Sequence, residues 1–172
     1  MTFPGLRSPM AMLELPHTRG CLVCGQANPH GLKLHLHVDP ATGIVSTEFT
    51  PRVEHIGFDG IVHGGILATV LDEAMVWAAT WSGKRFCVCG ELSVRFRQSA
   101  EVGQKVIVTA RVEVARSKLI TTTSEVLAGD VILATATGKY VPLPADRSNH
   151  FFDTLVDEPA TMAAATILRA SP

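Results

Sequence analysis

A chain of 172 residues has the length of a single domain. Apolar residues make up 47% of it and charged residues only 18%, which excludes an intrinsically disordered chain. With 15 Lys and Arg against 16 Asp and Glu, the net charge of -1 lacks the positive field of a protein that binds nucleic acid or anionic membranes. The low charge hints at apolar surface buried against another subunit.

The first sixty residues predict an arm, two strands and a loop. Residues 1–20 are rich in proline and show no periodicity, which predicts an irregular arm. Apolar residues alternate with polar ones over 32–38 and again over 44–49, which predicts two β-strands. Proline and glycine mark residues 50–62 as a loop.

One long helix and four more strands are predicted after the loop. Residues 64–81 are apolar on nearly every side, with Asp72 and Glu73 as their only charges, and such a helix belongs in the middle of a structure. The pattern then changes to period two, and short breaks separate four strands that should form an antiparallel meander. These strands are 91–97, 105–114, 119–127 and 130–141.

Together the elements predict an α+β fold in which an antiparallel sheet of about six strands wraps around one long buried helix. We assign residues 21–144 to this domain, with Pro142 and Pro144 ending the sheet. Residues 145–172 form a C-terminal tail, in which 160–169 has the pattern of a short helix.

No segment has the pattern of a signal peptide or of a membrane-spanning helix. Pro4, Pro9 and Pro16 interrupt the N-terminus, and Asp72 and Glu73 interrupt the longest apolar run. We therefore expect a cytoplasmic protein that does not bind membranes. In that compartment the four cysteines are expected to be thiols.

The start of the predicted helix carries the pattern of a catalytic site. Gly64 and Gly65 leave backbone N–H groups unshielded at a helix N-terminus, where the helix dipole favours an oxyanion. Asp72 lies inside an apolar helix, so its carboxylate must be paired, protonated or placed in a functional cleft. Asp72 follows Gly64 by eight residues, roughly 12 Å along a helix, too far for both to reach one carbonyl. If this is an active site, two antiparallel copies of the helix share it across a homodimer.

Several motifs resemble those of the hotdog-fold acyl-CoA thioesterases. The run HGGILATVLDEA at 63–74 follows His-Ile-Gly at 55–57 and precedes the strand ELSVRF at 91–96. This order is similar to that of the phenylacetate-pathway type and its thioesterase-superfamily-member relatives. The segment CLVCG at 21–25, with Asn-Pro and Gly-Leu within 28–32, resembles an N-terminal signature of the same branch.

The resemblance covers about residues 21–142 and implies a hotdog fold that hydrolyses acyl-CoA. It implies a homodimer with a continuous sheet, often paired into a tetramer as a dimer of dimers, and no metal or redox cofactor. By position, Asp72 matches the catalytic carboxylate, as general base or nucleophile. The N–H of Gly64, beside His63, matches the oxyanion donor. Candidate substrate-binding residues are Gly65, His55, Gly57, Cys89, Arg97, Arg116 and Lys118.

At two positions the residue type differs from that of the relatives, and for several other residues more than one role is possible. Some relatives carry Asn in place of Gly57, and many carry Ser or Thr in place of Cys89. Glu73 points about 100° away from Asp72 and is expected to pair across the dimer. His63 is expected to hold the loop rather than act as a general acid. The basic residues are expected either to form a solvated face or to bind coenzyme A phosphates; they are Arg95, Arg97, Arg116 and Lys118.

Cys21 and Cys24 have half the spacing of a zinc site. Zinc would need further ligands such as His17, His30 or His35, and no second pair of cysteines with this spacing follows. We therefore expect buried thiols and no metal.

Two other functions stay open beside hydrolysis. A hotdog dehydratase or hydratase typically works with a catalytic His in a different motif. A non-catalytic acyl-CoA-binding module would be expected to carry an attached effector domain.

Overall fold

A computed structural model describes residues 11–170, and one long helix, α1 (Gly64–Gly83), lies at its centre. Residues on several sides of α1 are completely buried, among them Val70, Leu71, Ala74 and Met75. A helix with no polar face is stable in water only when other elements cover it all round. The predicted buried helix is therefore confirmed.

Within residues 11–170, seven strands form one antiparallel sheet against α1, and two others form a separate ribbon. The α+β fold class is confirmed, with seven strands in the sheet instead of about six. In chain order the strands are β1 (Leu13–Glu14), β2 (Leu36–Val38), β3 (Val45–Phe49), β4 (Ile56–Phe58), β5 (Ile61–Val62), β6 (Cys87–Phe96), β7 (Val106–Arg116), β8 (Leu119–Ala128) and β9 (Val131–Pro142). The order across the sheet is β1-β2-β3-β7-β8-β9-β6, and β4 with β5 makes the ribbon.

The predicted four-strand meander is wrong in one respect, because β6 pairs with β9 and not with β7. The connection after β6 does not close a hairpin. The segment after β6 instead contacts the β4–β5 ribbon. The N–H of Val62 bonds to the carbonyl of Ala100 at 2.9 Å, and Ile61 forms a β-bridge with Glu101. The chain therefore crosses the end of the sheet, and β6 becomes an edge strand. Strands β7, β8 and β9 do form the predicted meander.

The arm predicted over residues 1–20 lies outside the described residues as far as residue 10. Beyond that point it contains β1, which pairs with β2, and the N–H of Leu15 bonds to the carbonyl of Leu36 at 2.8 Å. A two-residue strand is too short to give a period-two pattern, so the sequence does not predict it.

The strand predicted over 32–38 is shortened to β2. Leu32 and Leu34 donate their N–H groups to the carbonyls of Leu22 and Val23, at 2.8 and 2.9 Å. The CLVCG segment is thereby fixed against the beginning of this strand.

The C-terminal tail holds two helices where one was predicted, α2 (Ala145–Asp153) and α3 (Met162–Arg169). Phe152 of α2 packs against Phe86 with the rings tilted and their centroids 4.6 Å apart, and the Ser148 hydroxyl accepts the N–H of Phe86 at 2.8 Å. None of the helices in the described part of the chain combines the length and hydropathy that crossing a bilayer requires.

Candidate active site

The start of α1 lies beside a cleft of about 530 Å³, which Gly64 and Arg97 help to line. His63 caps the helix: its Nδ1 accepts the N–H of Gly65 at 2.9 Å, and its carbonyl accepts the N–H of Ile66 at 2.9 Å. The N–H of Gly64 bonds to no acceptor within residues 11–170. The helix therefore presents one unbonded donor at its positive end, which is the arrangement that stabilises an oxyanion. The N–H of Gly65 is already bonded to His63, so it is not available to a bound ligand.

His55 and Gly57 hold in place the loop that leads into α1. The buried His55 accepts the N–H of Arg52 at its Nδ1, at 3.0 Å, and its carbonyl accepts the N–H of His63 at 2.8 Å. Burial, helped by the charge of Arg52, lowers the pKa of His55 and keeps its ring neutral. Gly57 approaches His63 so closely that a Cβ there would lie 3.0 Å from the His63 Cα. Any larger side chain at this position would require the loop at His63 to shift by a few tenths of an ångström.

Asp72 lies half-buried at the middle of α1, where a tyrosine from the sheet holds it. The Tyr140 hydroxyl donates a hydrogen bond of 2.7 Å to Oδ1 of Asp72. Tyr140 is fully buried on β9, directly opposite Cys89 of β6. Burial and the neighbouring carboxylate raise the pKa of Tyr140, so its hydroxyl remains a donor. Burial and Asp72 likewise raise the pKa of the Cys89 thiol.

Tyr140 is the site residue that sequence reasoning missed. It has the spacing of any inward-facing strand residue, and nothing in a period-two pattern separates a core tyrosine from one that serves a carboxylate. The signal was its register opposite Cys89, which becomes visible only when β9 is paired with β6.

Glu73 faces a different environment from its neighbour Asp72. Its Oε1 accepts the indole N–H of Trp77 at 3.0 Å and lies 3.9 Å from the Cys21 sulfur. Burial, chiefly, raises the pKa of Glu73 to about 7. These contacts lie within its own chain, and pairing of Glu73 across a dimer stays a prediction.

The chain is similar in sequence and in fold to known proteins. The family model of the thioesterase superfamily matches residues 59–135. A solved thioesterase superfamily protein is 24% identical with a TM-score of 0.66, and the match covers 72% of our chain and 60% of that protein. The PaaI protein from the E. coli phenylacetic acid degradation operon is 19% identical with a TM-score of 0.61, covering 66% of our chain and 81% of PaaI. The chain folds as a hotdog domain.

A Streptococcus mutans protein solved with bound acetyl CoA is 17% identical, with a TM-score of 0.57, and the match covers 59% of our chain and 82% of that protein. No curated protein is significantly similar to the chain. The chain spans less than two thirds of the first thioesterase superfamily structure, and at these identities the structures establish the hotdog fold alone. The superfamily resemblance inferred from the sequence motifs is confirmed.

The candidate catalytic groups and the basic residues lie at two different places along α1. Gly64 and Asp72 stay eight residues apart on one helix, so a single chain does not bring them together. Arg97 lies at the Gly64 end, in the cleft. Arg116 and Lys118 lie at the β7–β8 turn, near the Asp72 end, because Ile120 pairs with Tyr140. Both are exposed and form no ion pair with any described residue.

If Asp72 serves the reaction proposed below, replacing Tyr140 with Phe should slow that reaction. The change removes one hydrogen bond to a carboxylate and keeps the ring, and such a bond is worth about 1.5–3 kcal/mol, or tenfold or more in kcat. Trp77→Phe removes the corresponding bond to Glu73 and should leave kcat within about threefold of the wild type. Equal kcat values for Tyr140→Phe and the wild type would contradict this positioning role.

Proposed function

We propose that the chain hydrolyses acyl-CoA thioesters to a free acid and coenzyme A, at a site shared by two copies of the chain. The observation that carries the proposal is the single helix α1, which presents the unbonded N–H of Gly64 at its start and the tyrosine-held carboxylate of Asp72 at its middle. The match of residues 59–135 to the thioesterase superfamily supports the same chemistry.

In the proposed reaction, the thioester carbonyl accepts the N–H of Gly64 from one chain. Asp72 of the second chain takes a proton from water, and the resulting hydroxide attacks the carbonyl carbon. The negative charge that develops on the carbonyl oxygen is stabilised by the Gly64 N–H and the helix dipole. The intermediate then collapses, the C–S bond breaks, and Asp72 returns its proton to the sulfur of coenzyme A. Direct attack by the carboxylate, through an anhydride that water then hydrolyses, needs the same residues.

The edge strand β6 supports the arrangement of the two copies. It is the last strand of the sheet, and most of its residues are exposed. If two β6 edges pair antiparallel about a point between Leu92 and Ser93, residue 89 of one copy lies opposite residue 96 of the other. Cys89 lies beside Asp72, and a Cβ on Gly64 would lie 3.1 Å from the Phe96 ring. This pairing would bring Asp72 of each copy towards Gly64 of the other.

A panel of acyl-CoA substrates tests the proposed function. The full chain is offered short, medium, long and aryl acyl-CoAs, release of coenzyme A is followed with a thiol reagent, and molecular mass is measured in the same buffer. We expect turnover of at least one class by a dimer or by a tetramer of two dimers. Tight binding without turnover of any class would instead identify an acyl-CoA-binding module.

Arg116 and Lys118 are expected to bind the phosphates of coenzyme A. Replacing either with Ala should raise KM for acyl-CoA by about fivefold, the scale of an exposed charge pair, and should leave KM for a short pantetheine thioester unchanged. Added salt should shrink the difference. Lys105→Ala, which removes a positive charge already paired with Glu48, serves as the control and should change neither value. Equal effects on the two substrates would contradict phosphate binding.

A further inference from the structure

The N-terminal CLVCG segment packs against α1 at Glu73, the residue after the one that Tyr140 holds. It forms a tight turn in which the N–H of Gly25 bonds to the carbonyl of Cys21 at 3.1 Å, and the N–H of Val23 bonds to the Cys21 sulfur at 3.3 Å. Both cysteines are free thiols; Cys24 is buried and Cys21 is half-buried. The turn brings both sulfurs to Glu73.

We propose that Cys21, Cys24 and Glu73 bind one thiophilic divalent cation of the zinc class. The two sulfurs and a carboxylate oxygen all lie within 4.8 Å of one another, and the Cys21 sulfur lies 3.9 Å from Oε1 of Glu73. Ligands on a tetrahedral zinc ion, with bonds of about 2.3 Å to sulfur and 2.0 Å to oxygen, stand about 3.5–3.8 Å apart. A small contraction of the cluster would therefore suit the ion.

The charges around the cluster favour a cation. Glu73 forms no ion pair with any described Lys, Arg or His, and its hydrogen-bond partners are the indole of Trp77 and the thiols. Glu73 is half-buried, and withdrawing a carboxylate from water is costly unless it is neutralised, paired or bound to a metal. A cation held by two thiolates would meet that need and would fasten the turn to the helix.

The ligand types select the metal. Thiolate sulfur disfavours Mg²⁺ and Ca²⁺, and a carboxylate oxygen disfavours Cu(I), which leaves Zn²⁺ as the matching ion. Three protein ligands leave the fourth position to water. The sequence predicts plain thiols because no second pair of cysteines with this spacing follows, whereas in the structure a carboxylate 52 positions after Cys21 lies beside the pair.

This inference does not rest on the proposed hydrolysis, so its test uses metal binding alone. The full chain, reduced and freed of metal with a chelator, is titrated with Co²⁺ and then with Zn²⁺. We expect one Co²⁺ per chain, a near-ultraviolet absorption band of thiolate bound to cobalt, and loss of that band when one equivalent of Zn²⁺ is added. Zn²⁺ should also raise Tm.

The matched variants are Cys21→Ser, Cys24→Ser and Glu73→Gln, each of which should weaken Zn²⁺ binding by about tenfold or more. Cys89→Ser removes a thiol outside the cluster and should leave stoichiometry and affinity unchanged. Glu73→Gln keeps the shape of the side chain and an acceptor for Trp77, so it separates loss of binding from loss of folding. The proposal is overturned if Co²⁺ gives no thiolate band, or if Glu73→Gln binds Zn²⁺ like the wild type. It is also overturned if the reduced chain binds neither Co²⁺ nor Zn²⁺, while in a glutathione buffer Cys21 forms a disulfide with Cys24.

Discussion

Replacing Asp72 with Asn should abolish acyl-CoA hydrolysis and leave acyl-CoA binding intact. Asn has the shape of Asp and keeps an oxygen to accept the Tyr140 hydroxyl, which now donates at 2.7 Å, but it takes no proton from water. Loss of a positioned general base costs about 10²–10⁴ in kcat, and loss of a nucleophile costs more. Release of coenzyme A measures the first effect, and calorimetric titration with a non-hydrolysable acyl-CoA analogue measures the second.

The adjacent carboxylate provides a control for this experiment. Glu73→Gln makes the same chemical change one residue away, on a side chain that faces Trp77 and Cys21 rather than the Tyr140 side of the helix. It should keep kcat within about threefold of the wild type, since it removes no group near the reacting carbonyl. If Glu73→Gln were inactive and Asp72→Asn active, the base would be Glu73 and the proposed mechanism would be wrong.

Replacing Gly64 with Pro should reduce kcat by about 10²–10³, the usual cost of removing one oxyanion donor. Proline deletes the N–H and is well tolerated at the first position of a helix, which Gly64 occupies after the cap at His63. His63 already has the extended conformation that precedes proline, with φ -61 and ψ 130. Gly64→Ala is the matched control, because it adds a Cβ beside Phe96 and retains the N–H. Equal losses in the two variants would show that crowding, not the donor, matters.

Mixing the two inactive variants tests whether the site is shared. In a heterodimer of Asp72→Asn with Gly64→Pro, one site combines both defects and the other combines an intact Asp72 with an intact Gly64. Random exchange makes about half of the dimers heterodimers, so about a quarter of wild-type activity should return. Native mass spectrometry confirms that exchange has occurred. Complete exchange without recovered activity would place both groups in one chain.

The sequence identifies the centre of this fold well because its signals are local. A helix that is apolar on every side has to be buried, and α1 begins at Gly64 as its two glycines indicate. Strands β7, β8 and β9 follow from period-two patterns separated by short breaks. The candidate groups Gly64 and Asp72 lie on this same helix, but only the family resemblance favours Asp72 over Glu73, and their catalytic roles stay predictions.

The remaining features depend on pairings between distant segments, which periodicity does not encode. β6 pairs with β9, and the β4–β5 ribbon, in a stretch predicted as loop, forms hydrogen bonds with residues 100–102. Tyr140 meets Asp72, and Glu73 meets Cys21, only after strands and turns have come together. Such contacts are tertiary consequences of the fold and leave no mark on local pattern.

Tyr140 is the only tyrosine in the chain. A protein labelled with ¹³C at the phenolic carbon of tyrosine would therefore give a single resonance, and that resonance would come from the hydroxyl that holds Asp72. Its frequency should respond when the carboxylate is protonated, when Asn replaces it and when a substrate analogue binds. One isotope label thus makes the chemistry of this carboxylate observable in solution without adding a probe to the protein.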